Sequence, residues 1–260
     1  MSGQPGLHDS ATRRIIATAI ATTLTIGGAT SLLFLAAGLG LSQMGFATPG
    51  GGAGRPLTAW FVVLGLVTVL APPFVGGAAW GAALAWIFRA PFAPAARTGA
   101  LAFGGMVVVT AAPTDLTQLL LDDLPAWMPM DVHGYFTIVF MAEVGVVAAV
   151  STWRLAKRLG VDHDAAAIGS WTGLAAAFGF LAGSALAVAL GVRVFPWERL
   201  SMVWATIIAL PVSTLTAGAM LGARLSATMG AHRPAARKPD ADRTGGGTVH
   251  ERRTPPTHRH

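Results

Sequence analysis

The 18 basic and 12 acidic residues of this 260-residue chain are almost wholly excluded from six long segments. These are residues 15–41, 60–87, 98–121, 134–152, 165–192 and 200–223, each 19 to 28 residues long. At 1.5 Å of rise per residue, each can cross a hydrocarbon core of ~30 Å as a helix. Together they hold 150 residues but only two charges, Asp115 and Glu143, although 12% of the whole chain is charged. A soluble core does not produce six such runs in a row. A lipid-facing barrel requires alternation at period two, which these runs lack. The chain is 53% hydrophobic, which excludes intrinsic disorder as its general state. The reading is an all-α, polytopic integral membrane protein, a bundle of six transmembrane helices.

Basic residues between the spans set the threading. Segments on the N-terminal side carry Arg13, Arg14, Arg89, Arg97, Arg154, Lys157, Arg158, Arg224 and seven further bases in the C-terminal tail. Segments on the opposite side carry Arg55, Arg193 and Arg199. Both termini are therefore expected in the cytoplasm, and six is the even number of spans that this requires. The first apolar run is 27 residues and no A-x-A site closes it, so it reads as a retained helix and not a signal peptide. The expected location is the inner cell membrane, crossed several times. Residues 1–14 form a cytoplasmic lead, 15–223 the membrane domain, and 224–260 a basic tail rich in Arg, Pro, Gly and His. That tail is expected to be disordered, from about Ala227 onward at least, because it has little apolar surface to offset ordering entropy.

Three G-x-x-x-G pairs lie in the spans: Gly77/Gly81, Gly179/Gly183 and Gly218/Gly222. Small residues at this spacing let helix backbones approach, within the chain or against a partner membrane subunit or second copy. Trp60, Trp86, Trp127, Trp153 and Trp197 fall at span ends, where an indole prefers the lipid headgroup zone. Pro72-Pro73 and Pro211 interrupt the second and sixth spans, and Pro113 the third. Broken helices are tolerated at membrane depth where they line a cavity or pack on protein, so they hint at an internal pathway.

Glu143 is the sharpest candidate for chemistry. An ionised carboxylate in mid-span costs at least a few kcal/mol unless it is paired or hydrated, so it is expected to face the bundle interior. Candidate neighbours are Asp115 and Gln118 on the third span, Thr22 or Thr25 on the first, and Ser213 or Thr214 beside Pro211. Thr110, Thr114 and Gln118 recur with Asp115 at helical spacing, which gives the third span a polar face. The following loop adds Asp122, Asp123, Asp131 and His133, an acidic mouth that attracts cations. Asp131, His133 and Glu143 are metal-ligand types, but their spacing places His133 and Glu143 on different faces ~15 Å apart. No metal site is therefore assigned. Asp162-His163-Asp164 reads as the cap of the fifth span.

Without cysteine there is no disulfide or thiol chemistry. No P-loop, dinucleotide fingerprint or nucleophile elbow occurs, so no cofactor is expected and enzymatic activity is disfavoured. The lone Tyr135 and an unfolded basic tail make no nucleic-acid module. Membrane lipid is the expected surrounding, and the tail's arginines can touch anionic lipid heads. The functional expectation is binding or passage of a small solute or ion, with Glu143 as titrating group and Asp115 and the acidic mouth as outer gate. The alternatives are a non-catalytic subunit of a membrane complex, docked through the glycine faces, and a membrane-embedded enzyme using the outer acids and His133.

Overall fold

The computed structural model describes residues 5–33, 59–110, 132–190 and 199–231. All described regular structure is helical, with no strand among these residues. Six helices among the described residues are long and apolar enough to cross a membrane, the make-up of a multi-pass membrane protein.

Helix α1 opens as Pro5–Thr22, widens into a π-helical stretch at Thr23–Gly27, and continues to residue 33. The widening has a local cause. The hydroxyls of Thr22, Thr23 and Thr25 donate to the carbonyls of Thr18, Ala19 and Ala21, competing with the helix's own ladder. Helix α2, Ala59–Phe88, runs through Pro72-Pro73, which remove two backbone donors without ending it. Helix α3 is Phe92–Gly99, followed by a second π stretch at Ala100–Gly104, and continues to residue 110. Helices α4 (Val132–Arg158), α5 (Ala165–Ala189) and α6 (Arg199–Ala231) follow.

The helices form a ring in chain order. Each packs on its predecessor, and α6 closes the ring on α1. Glycine determines how closely they approach. A methyl group on Gly183 of α5 would lie 2.6 Å from Ala209 Cα on α6, and one on Gly218 of α6 would lie 2.8 Å from Ala19 Cα on α1. Gly77 and Gly81 of α2 lie against the backbone of α3 at Gly99 and Ala95. All three G-x-x-x-G pairs are thus seated on the chain's own helices. A fourth pair, Gly169/Gly173, brings α5 against Ala149, Trp153 and Gly145 of α4.

Large apolar side chains lie on the outside as well as in the core, and several hydroxyls are buried. Buried polar residues include Thr18, Thr22, Thr172 and Ser213, whereas Leu24 is 72% exposed, Phe178 65% and Val109 64%. An exterior of large aliphatic and aromatic groups, with hydroxyls and glycines buried where helices meet, fits a hydrocarbon solvent. The interior hydroxyls also join helices. Ser213 Oγ donates to Ala176 O at 2.7 Å, Thr216 Oγ1 to Ala175 O at 2.9 Å, and Trp80 Nε1 to Thr22 Oγ1 at 3.1 Å.

Several helices run past the expected spans, most of all α1 and α6. Helix α1 starts ten residues ahead of the first apolar run, at Pro5. Helix α6 extends past 223 to Ala231, with Leu225 fully buried and Met229 packed on the core. The remainder of the tail, residues 232–260, lies outside the described residues. At the start of α5, Asp164 holds the N-cap position, but its side chain makes no capping bond; the first turn closes through Ile168 N–H to Asp164 O.

Candidate functional site

Glu143 sits midway along α4 and is half-buried. Of the ionisable side chains named as candidates, it is the one whose side-chain setting is described. Its neighbours along the helix fix its position. Phe140, Met141 and Val144 pack against Phe180 of α5 and against Ala209 and Leu210 of α6. The Phe140 and Phe180 rings stack at 6.4 Å. Gly145 seats α4 on the backbone of Gly173. Val147, one turn further along, is buried in the main core. Glu143 therefore lies on the flank of α4 between its packed face and its exposed residues, and it is engaged, not free.

The hydroxyls weighed as its neighbours spend their protons elsewhere. Thr22 donates to Thr18 O, Thr25 to Ala21 O, Ser213 to Ala176 O and Thr214 to Leu210 O. None of them is left to donate to a carboxylate. Asp115, Gln118, Asp122, Asp123 and Asp131 lie outside the described residues. His133 falls in the first turn of α4, ten residues from Glu143 on the same helix. No group of three metal-ligating side chains occurs among the described residues.

Several helix irregularities gather around α2. Gly76 packs against Thr25 and Ala29, at the π stretch of α1. Phe74 lies against Gly104, the last residue of the π stretch of α3, and Gly77 against Gly99, just before that stretch. Gly27 in turn meets Thr214 of α6, one turn beyond Pro211. π-helical turns and prolines thus share one stretch of the bundle, where the prolines leave backbone carbonyls without their usual N–H donor. Towards the end carrying Arg89, Arg154, Lys157 and Arg158, the ring is closed by apolar side chains. Trp80, Leu84, Phe103, Leu155, Leu221 and Leu225 belong to one continuous buried cluster.

The same basic end carries a feature that sequence reasoning treated only as a threading signal. A cleft of about 570 Å³ opens between α3 and α4, lined by Thr98, Leu101, Arg154, Lys157, Arg158 and Asp162 among others. Lys157 Nζ is held 4.6 Å above the Trp153 ring. The spacing Arg154-x-x-Lys157-Arg158 was the visible signal for it, since residues three and four apart share a helix face.

No family model, curated protein or solved structure matches the chain.

Proposed function

We propose that the protein binds or passes a small solute or ion across the cell membrane, with both termini in the cytoplasm and Glu143 as the titrating group. One observation carries the reading. Within the described apolar stretches 15–33, 70–88, 98–110, 138–152, 165–189 and 208–223, Glu143 is the only charged residue, and it is half-buried beside the packed face of α4. A carboxylate is retained at such a position at a cost of a few kcal/mol, which purely apolar packing would avoid. The proline and π-helical interruptions around α2 support it, because carbonyls freed from the helix ladder are ready ligands for a cation or a polar solute. The apolar cluster from Trp80 to Leu225 acts as the closed gate on the cytoplasmic side. The site is then reached from the opposite side, where the acidic residues Asp115, Asp122, Asp123 and Asp131, with Gln118 and His133, form the entrance.

The test uses the full chain in sealed vesicles loaded with a pH dye, challenged in turn with proton, sodium and potassium gradients. Glu143→Gln keeps the shape and removes the charge. Flux carried by the native chain and lost in this variant supports the reading; equal flux in both removes Glu143 from the mechanism.

A further inference from the structure

The cleft between α3 and α4 plays no part in the proposed passage and has its own chemistry. Three bases, Arg154, Lys157 and Arg158, face one acid, Asp162, so the lining carries a net positive charge. The bases stand on the last two turns of α4, and Arg154, Lys157 and Arg158 are all exposed. Lys157 is steadied over the Trp153 ring, so its ammonium is held in place and not left to sample solvent freely. Guanidinium and ammonium groups both bind the oxygens of a phosphate group, the guanidiniums as planar two-pronged donors.

The surface leading away from the cleft is apolar. Leu101 lines the cleft and is 55% exposed; Val108 and Val109, two turns further along the same face of α3, are also exposed. Positive charge at one end of an apolar strip is the pattern of an amphiphile with an anionic head. We infer that this cleft is a binding site for an anionic phospholipid, its phosphate held by Arg154, Lys157 and Arg158 and its acyl chain laid along Leu101, Val108 and Val109. Asp162 and the Thr98 hydroxyl stand in the same cleft as partners for headgroup hydroxyls, which favours a glycerol-type head over a bare phosphate. The inference rests on residence in a bilayer and is independent of Glu143.

The experiment takes the full chain in neutral detergent and counts bound lipid by native mass spectrometry. Phosphatidylglycerol and phosphatidylcholine with identical chains are compared, with inorganic phosphate as a competitor. The expected result is one retained phosphatidylglycerol, with phosphatidylcholine held about tenfold more weakly. Arg154→Gln with Arg158→Gln is expected to erase the preference. Arg224→Gln, at the same end but stacked on Trp171 between α5 and α6, is expected to keep it. Equal retention of the two lipids by the native chain overturns the inference without recourse to any variant. So does equal loss in the double variant and in Arg224→Gln, which would mean diffuse charge and no built cleft. Displacement of the lipid by low-millimolar inorganic phosphate also overturns it, assigning the cleft to the free anion.

Discussion

Gly183→Ala adds one methyl group at the α5–α6 contact, and the structure sets its magnitude. The added carbon would lie 2.6 Å from Ala209 Cα, 3.0 Å from Ala209 O and 3.1 Å from Val212 Cβ. Two of these three atoms are backbone, so no side-chain rotation relieves the clash. Ordinary contact begins at 3.4 Å, so the helices must part by about 0.8 Å. One to two turns away, Ser213 Oγ and Ala176 O are 2.7 Å apart, and Thr216 Oγ1 and Ala175 O are 2.9 Å apart. The same displacement stretches both beyond good hydrogen-bond length. Overpacking costs ~1–3 kcal/mol, and an interhelical hydrogen bond in a membrane protein averages ~0.6 kcal/mol. The expected loss is therefore ~2–4 kcal/mol. Denaturant titration in micelles, followed by circular dichroism, measures it. Gly28→Ala and Gly105→Ala are matched controls, because a methyl on either meets no atom within 4 Å. Both are expected to be neutral or slightly stabilising, since Ala is the better helix former. If Gly183→Ala unfolds at the same denaturant concentration as these controls, close α5–α6 packing is not what holds this pair together.

Other substitutions test neighbouring parts of the argument. Ser213→Ala breaks a bond between helices and is expected to lose ~0.6–1.7 kcal/mol, whereas Ser151→Ala removes a buried hydroxyl with no partner among the described residues and is expected to be neutral or stabilising by the same titration. Trp80→Phe deletes the donor to Thr22 and is expected to cost ~1–3 kcal/mol, read as a lowered melting temperature in detergent. Gly160 ends α4 with φ at +85° and open space around it, so Gly160→Ala is expected to cost ~1–2 kcal/mol from backbone strain alone, with Gly160→Asn recovering part of that in the same melt.

The charge gaps located the helices because lipid tolerates so few ionised groups. They did not locate the helix ends, because a helix can continue beyond its apolar stretch. Ala11, Arg13 and Arg14 are good helix formers and Pro5 suits a helix's first position, so α1 can start ahead of its apolar run. The continuation of α6 was legible in retrospect: Leu221, Leu225 and Met229 repeat at four-residue spacing, one apolar face crossing the expected boundary at 223. Glycine spacing announced close helix contacts without naming partners, since a bare backbone fits any neighbour. Hence the pairs read as open to another subunit prove to be occupied within the chain. Glu143 was found because it stands alone in an apolar run. The basic cleft was not, because Arg154 and Arg158 gain their meaning from α3, which is more than forty residues away in sequence.

The closure of the ring by α1 and α6 bears on the order of assembly. A chain made from its N-terminus delivers α1 first and α6 last, yet α1 packs more extensively on α6 than on its sequence neighbour α2. Until α6 arrives, the seats for Gly218 and Gly222 stand empty, and the hydroxyls of Thr18 and Thr22 there lack the cover they have in the finished protein. The nascent protein is thus an open crescent with one polar, small-residue seam at its leading edge. Its final helix works as a keystone, and a ribosome stalled before residue 199 would leave a surface ready to be held by an insertion chaperone or to pair with the wrong helix.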